Sequence, residues 1–579
     1  MKTNYILLNF FLILSIFDCF LIKDFDAQKT FYVALKQNNE GVQYLKELIL
    51  DDLSNIDSIN YGKYLTIEEI NKIISLPDIS RNVSMIFQKK GIKCQDLSDS
   101  LKCTGTVGQL DIIFGIDLRP YFKMNTINYI SKKKYKIPRE FGKNIIFIDG
   151  LSNKLYLENK IKKQLTISSK IDPGCVSREV LMNLYNMTTT HINKKASTGV
   201  IEYFGQNGFL NDNLVESQIL NSVLPNPIIN EHIIGNNTNF NFESQLDVQV
   251  MYWGSDNAEL WYENFNGWIY SWAIDFVNRK EIPEVISISW GWDETEQCTL
   301  TNCSNYSSKQ YVERSNIEFS KIVARGTTII AAAGDSGSPS GTNQFCHSIQ
   351  KQYGWSNMNP IFPGGSPWVL SIGATYIVNN KKDNQNDFIT PICSGIIPNI
   401  KCALGDKENS VTFEEVGWTS GSGFTHWDRT PNWQLKLVHD YLQSGIILPE
   451  EKFFNKNGRA YPDVVAVGHN CLVNDNDKWQ YFDGTSCSSP IFAGIITQLN
   501  SHQKSNNKTT LGFINPLLYK IYLSDANNFN DINIGNSTCT KRKCCGSNFG
   551  FIAKNGWDPV SGLGTPNVDM IKKYLAKYN

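Results

Sequence analysis

The stretch Gly484-Thr485-Ser486-Cys487-Ser488-Ser489-Pro490 joins a Gly-Thr-Ser turn to the apolar run Ile491–Leu499 (IFAGIITQL). The run reads as a helix, with Pro490 near its first turn, where a missing N–H costs nothing. A serine at that junction has its hydroxyl at the positive end of a helix, beside unpaired backbone donors. An acyl-transfer nucleophile needs this geometry: the attacking oxygen on a sharp turn, its own N–H turned toward a developing oxyanion. Taken alone, the same residues also suit a capping serine in a Gly/Ser-rich loop.

A serine nucleophile needs a base, usually histidine. The chain has seven: His191, His232, His347, His426, His439, His469 and His502. None lies in a His-Gly-Thr context, and His426 sits in the aromatic loop Gly423-Phe424-Thr425-His426-Trp427; each reads as structural. The alternative base lies in Phe242-Glu243-Ser244-Gln245-Leu246-Asp247-Val248-Gln249. Four residues apart on a helix, Glu243 and Asp247 share one face. Like charges so close repel unless one carboxyl holds a proton. A solvated acidic face is the ordinary meaning of such a pair, but Phe242, Leu246 and Val248 leave this helix little room to be exposed.

A third element, Thr327–Ala333 followed by Gly334-Asp335-Ser336-Gly337, reads as a buried parallel strand with a loop at its carboxyl end. Ligand sites of open α/β sheets lie at that end. On its own, Asp335 would serve as a turn former.

Together, Ser486, Glu243, Asp247 and Asp335 resemble the serine-carboxyl peptidases, the sedolisin family, and within it the tripeptidyl-peptidase I branch. The likeness spans nearly the whole chain. It rests also on Tyr61-Gly62-Lys63-Tyr64-Leu65-Thr66, on Gly458-Arg459-Ala460-Tyr461-Pro462-Asp463-Val464 and on Gly556-Trp557-Asp558-Pro559-Val560-Ser561-Gly562-Leu563-Gly564-Thr565-Pro566-Asn567, in the family's order. It implies Ser486 as nucleophile, Glu243 as general base, Asp247 as its partner and Asp335 as the side-chain oxyanion donor. It implies an α/β, subtilisin-like domain with a mostly parallel central sheet flanked by helices. The activity implied is release of tripeptides from free amino termini of unfolded polypeptides; an acid endopeptidase is the rival, an inactive binding homologue the remote alternative.

Acid operation follows from the residue types as well. An ordinary carboxyl titrates near ~4, so a glutamate base is partly ionised in mild acid. Asp335 must carry a proton to donate to an oxyanion, a state that burial and a carboxylate neighbour favour.

Resemblance also implies one structural Ca²⁺ ion, held by Asp531 and Asp558 through side chains and by Ile532, Lys554 and Gly556 through carbonyls, a hard-oxygen shell. Lys554 stands where the family commonly has a second glycine. Two further departures are Cys487, where a small residue is usual, and Trp292 in place of an acid on the substrate-binding strand, Ser289-Trp290-Gly291-Trp292.

The amino end, a charged start followed by Tyr5–Phe20, is a secretory signal over residues 1–26, too short and early for a membrane span. Seven Asn-x-Ser/Thr sequons, at Asn82, Asn186, Asn236, Asn302, Asn305, Asn507 and Asn536, and fourteen cysteines suit a glycosylated, disulfide-bonded chain. Cys94–Cys103, Cys298–Cys303 and Cys393–Cys402 are plausible local bridges; the resemblance implies that Cys346 pairs within Cys539, Cys544 and Cys545. Without a Cys-x-x-Cys pair there is no thioredoxin-like or zinc signature, and a net charge of −1 gives no sign of nucleic-acid binding.

Residues 27–171 mix strand-like runs such as Lys29–Leu35 with amphipathic segments such as Val42–Leu53, suiting a small α/β (ferredoxin-like) domain. In the family such a domain is a propeptide that covers the cleft until acid removes it. Lysine-rich Lys160–Lys170 reads as an exposed linker, and the peptidase domain is expected over 172–579, in a lysosome or equivalent acidic compartment or secreted.

Overall fold

Apolar residues fill the second half of β1 (Gln28–Leu35), the strand around which the first compact unit is built. The computed structural model describes residues 23–123, 126–151, 174–188, 195–205, 208–238, 240–255, 257–339, 341, 346, 358–378 and 388–578. The signal segment (apart from 23–26), the linker Lys160–Lys170, Asp172, His191 and His347 lie outside them.

The first unit draws on Met1–Lys36, Leu76–Lys154 and Leu300–Tyr306. With β2 (Lys93–Asp96), β3 (Ser100–Thr106) and β4 (Ile145–Asp149), β1 forms an antiparallel sheet of order β2-β3-β1-β4. Helix α1 (Pro77–Lys89) starts with proline in its first turn. Helix α2 (Val107–Phe114) opens on a Thr106/Gln109 capping box and stops at left-handed Gly115. Phe87 of α1 and Phe114 of α2 meet Phe31 edge-on, with centroids 5.8 and 5.7 Å away. Cys94–Cys103 staples β2 to β3.

The second unit comprises Gln37–Ser75, Leu155–Thr299 and Ser307–Asn579. Its sheet is built from β5 (Ser197–Tyr203), β6 (Ile233–Gly235), β7 (Glu259–Phe265), β8 (Val285–Ile288), β9 (Thr328–Ala332), β10 (Leu370–Val378), β11 (Lys407–Ser410) and β12 (Val464–Val467). The order is β11-β10-β9-β8-β5-β7-β6, with β12 also paired to β10. Every pairing is parallel except β10–β11. The inner strands β8 and β9 are buried throughout and mostly apolar, as burial on both faces requires.

Three helices matter for the site: α3 (Phe242–Ser255), α4 (Ser308–Ala324) and α5 (Thr485–Ser505). α3 and α5 touch backbone to backbone. A Cβ on Gly254 would lie 2.6 Å from the Ile495 nitrogen, and one on Gly494 2.3 Å from the Met251 oxygen. The expected helix over 491–499 in fact begins at Thr485, so Pro490 lies inside it rather than near its first turn. The proline takes no bond from the Ser486 carbonyl, which instead accepts from the Ser289 hydroxyl at 3.4 Å.

Part of the leader belongs to this unit. Helices Asn39–Leu48 and Ile67–Ile74 flank the Tyr61–Thr66 motif, where the Tyr64 hydroxyl donates to the Thr510 carbonyl (2.6 Å) and the Leu65 N–H to the Ala324 carbonyl (2.9 Å). Leader and peptidase, as divided by sequence, do not coincide with the two packing units.

Cys393–Cys402, Cys346–Cys545 and Cys539–Cys544 are disulfides, and Cys298 and Cys303 are both disulfide-bonded.

Candidate active site

Ser486 is the second residue of α5, following Gly484 as N-cap. Gly484 has φ +149°, which a side chain would resist, although a Cβ there would meet nothing closer than 3.5 Å. The need is conformational: the backbone must turn sharply to present the serine. Ser486 is half-buried and Cys487 beside it fully buried, its Sγ 3.5 Å from the Phe482 carbonyl. Burial pushes the Cys487 thiol well up, so it remains a small apolar filler.

Glu243 and Asp247 lie one turn apart on α3, both buried. Burial drives Glu243 up to about 7; the Ser486 hydroxyl, donating toward it, works in the opposite direction, and the Asp335 charge adds to the rise, so the base is less ionised in mild acid than the ordinary carboxyl expected from sequence. Asp247 is held well above the usual carboxylate range by burial first, then by the charges of Glu243 and Glu202. The Ser289 hydroxyl works weakly in the opposite direction without making a well-formed hydrogen bond to either Asp247 oxygen, so burial prevails and favours the neutral acid.

Asp335 follows β9 at the carboxyl end of the sheet, as the strand reading required. Its Oδ1 accepts from the Thr485 N–H (2.9 Å) and the Thr485 hydroxyl (2.8 Å), while Gly334 N–H donates to that hydroxyl (3.1 Å). Oδ2 is left facing the Gly484–Ser486 turn, where it lies 3.6 Å from a Cβ built on Gly484. Ser486, Glu243 and Asp335 therefore converge from α5, α3 and β9.

One buried acid escaped the sequence reading. Glu202, near the end of β5, is fully buried and accepts from the Trp290 indole N–H at 2.6 Å. Its signal was a lone acid in the run Gly199-Val200-Ile201-Glu202-Tyr203-Phe204, on a strand with apolar company on both faces. Trp292 is half-buried on a short strand paired with Ile361–Phe362.

Of the expected calcium residues, Asp558 is buried and its Oδ1 accepts from Val560 N–H, Ser561 N–H and the Ser561 hydroxyl (2.9, 2.9 and 3.1 Å); Oδ2 accepts from Lys554 N–H (2.8 Å). Asp531 Oδ2 accepts from Gly556 N–H (3.0 Å), which brings both carboxylates to one loop pair. Burial pushes Asp558 up to about 7 and Asp531 upward too, with backbone hydrogen bonds opposing the rise at both and the Lys554 charge opposing it at Asp531. The two carboxylates are hard-oxygen donors of the kind a Ca²⁺ ion takes. Among the described residues the cluster Glu414, Cys539 and Cys544 also groups ligand atoms, but its sulfurs are joined in a disulfide.

Residues 24–154 match the Pro-kumamolisin activation domain and residues 233–515 the subtilase family. Physarolisin of Physarum polycephalum is 35% identical over 551 residues, covering 93% of this chain and 92% of its own. Tripeptidyl-peptidase 1 of Canis lupus familiaris is 27% identical over 580 residues, covering 96% and 92%. Pseudomonas sedolisin, a serine-carboxyl proteinase, superposes with a TM-score of 0.51 at 19% identity, over 70% of this chain and 98% of its own, a likeness of fold. No helix among the described residues is long and apolar enough to cross a membrane. With a glutamate and an aspartate gathered at its serine and physarolisin alike over nearly its full length, the chain belongs to the sedolisin family of serine-carboxyl peptidases, preceded by an activation domain.

Proposed function

We propose that this peptidase works in acid on unfolded polypeptides, through an acyl-enzyme on Ser486, and releases tripeptides from free amino termini. The convergence of Ser486, Glu243 and Asp335 carries the reading. Ser486 Oγ attacks the scissile carbonyl and passes its proton to Glu243, which returns it to the leaving amine; water repeats the cycle to free the acyl group. Neutral Asp247 beside Glu243 stabilises the ionised base. Asp335, with Oδ1 committed to Thr485, carries its proton on Oδ2 and donates it to the oxyanion.

A second reading, cleavage within the chain, draws support from Trp292. An indole occupies the position of an acid on the substrate-binding strand, and the neighbouring Asp293 and Glu294 are both buried, with a Glu294 oxygen accepting from His426 N–H (2.9 Å). Neither Asp293 nor Glu294 is thereby offered to a substrate's terminal amine. A long unstructured peptide and its amino-terminally acetylated twin, incubated in acid and read by mass spectrometry, separate the two. Ordered tripeptide loss from the unblocked peptide alone supports exopeptidase action; equal internal cutting of both overturns it.

Residues 27–171 act as a removable propeptide and intramolecular inhibitor of the peptidase domain at 172–579. Asp531, Ile532, Lys554, Gly556 and Asp558 hold one Ca²⁺ ion, which supplies a fixed positive charge tying two loops together. The signal segment directs the chain to a lysosome-like acidic compartment, with secretion as the other destination. Glycans sit on exposed Asn82, Asn186, Asn305 and Asn507, whereas Asn302 is buried and stays bare.

A further inference from the structure

Three sulfurs meet where the peptidase domain begins. After Gly174, Cys175-Val176 runs between two other segments and is hydrogen-bonded to both. On one side Cys175 N–H donates to the Lys401 carbonyl and Ala403 N–H to the Cys175 carbonyl, each at 2.7 Å. On the other, Val176 N–H donates to the Asn470 carbonyl (2.8 Å) and Leu472 N–H to the Val176 carbonyl (3.0 Å). In this pairing Cys175 stands opposite Cys402, and its thiol sulfur lies 3.5 Å from Cys402 Sγ. Cys402 is the partner of Cys393, and Cys175 carries a thiol. All three sulfurs are buried, and the Ser177 hydroxyl lies 2.9 Å from Cys393 Sγ and 3.6 Å from Cys402 Sγ.

We propose that Cys175, Cys393 and Cys402 form an internal disulfide-exchange site, in which Cys175 displaces Cys393 from Cys402 and ties residue 175 covalently to the catalytic unit. The step balances within the chain. The Cys175 thiol gives up its proton and attacks Cys402 Sγ. The Cys393–Cys402 bond breaks, its electron pair leaves on Cys393, and Cys393 takes up one proton. The Ser177 hydroxyl is placed to donate a hydrogen bond to that leaving thiolate. One thiol and one disulfide stand on each side, so no oxidant is consumed.

Geometry permits the product. Residues opposed on adjoining strands are separated by about 4.7–5 Å, inside the roughly 4.4–6.8 Å Cα range that a disulfide spans. Burial keeps outside thiols from intercepting the exchange, and acid suppresses the attacking thiolate. The isomer reached at neutral pH is therefore frozen on acidification. Its effect falls on the active site's neighbour. The strand Gly174–Val176 borders β13 (Cys471–Asn474), which forms a hairpin with β14 (Trp479–Phe482), and β14 leads to the Gly484–Ser486 turn. Tying residue 175 keeps that border in place when the polypeptide upstream is cut.

The test uses the full chain held at pH 7 without reductant, sampled over time, quenched in acid, then denatured with N-ethylmaleimide and digested without reduction. Mass spectrometry should find a peptide joining Cys175 to Cys402, with alkylated Cys393, growing at the expense of Cys393–Cys402 until the two reach a fixed ratio. Cys393→Ser should lose Cys175 alkylation altogether, its Cys175 being joined to Cys402. Cys175 alkylated in every wild-type molecule at all times would overturn the proposal. So would a cooperatively melting Cys393→Ser in which Cys175 and Cys402 are both alkylated. Should Cys393→Ser fail to fold, the wild-type time course decides alone.

Discussion

At the scale of single residues the site divides into a half-buried working surface and a buried acid store behind it. Ser486→Ala should abolish hydrolysis and leave the leader attached if maturation is autocatalytic; near wild-type turnover in a purified variant would dismiss the nucleophile. Asp335→Ala should cost on the order of 10²–10³ in kcat, the usual worth of one oxyanion donor. Asp335→Asn keeps a hydrogen-bond donor in the same place, so it should lose much less; a loss as large as that of the alanine variant would contradict the role. Glu202→Gln removes a charge that holds the proton on Asp247. Its kcat profile should therefore lose its alkaline side at lower pH, with the melting curve little changed; an unmoved profile would leave Glu202 a structural acid. Ser486, Glu243, Asp247 and Asp335 were legible because each lies in a local string whose spacing carries meaning. Glu202 was not, because its partner Trp290 is 88 positions away and only the fold joins them.

Among elements, the decisive contact is that of α3 with α5, since one carries the proposed base and the other the proposed nucleophile near its first turn. Gly254 and Gly494 set their distance of approach. Gly494→Ala puts a methyl into the Met251 carbonyl, and the helices must part. Overpacking of this kind typically costs about 1–3 kcal/mol, and a separation near 1 Å can cost ~10² in rate. The variant should therefore lose kcat out of proportion to its loss in Tm; a normal kcat would show that the helices do not set the site. Periodicity made both helices legible, but the start of α5 was placed six residues late, because proline reads as a beginning. Here Gly484 begins the helix, and the proline leaves the Ser486 carbonyl to Ser289.

At the scale of the whole molecule, buried carboxyls set the pH range of the fold. Burial raises Glu408 to about 7 and Asp428 to about 6. A carboxyl raised in the fold binds its proton more tightly there than in the unfolded chain. Its contribution is complete below the unfolded value near ~4.5 and is lost as pH climbs through the folded one. Thermal stability should therefore fall between about pH 4.5 and 7, and Glu408→Gln should flatten part of that slope, by about 3 kcal/mol at most. A Tm that rises over this range would contradict the reading. Chelation of Ca²⁺, or Asp558→Ala, should lower Tm and activity together, since an ion bound only to the native state stabilises it by mass action; a melting curve indifferent to chelator removes the ion. The parallel sheet and the leader's antiparallel sheet were legible from strand patterns. That Gln37–Ser75 packs within the catalytic unit was not, because an amphipathic pattern announces a buried face and not what buries it.

That last feature bears on reversibility. The ring of Tyr64 rests against Gly326 and Gly512, with its hydroxyl on Thr510. A chain trimmed of its leader has thus lost side chains on which its own catalytic unit was assembled. Heated and cooled, the precursor should recover its native circular dichroism while the trimmed enzyme does not. The mature form then persists through the height of its unfolding barrier and has no route home once that barrier is crossed.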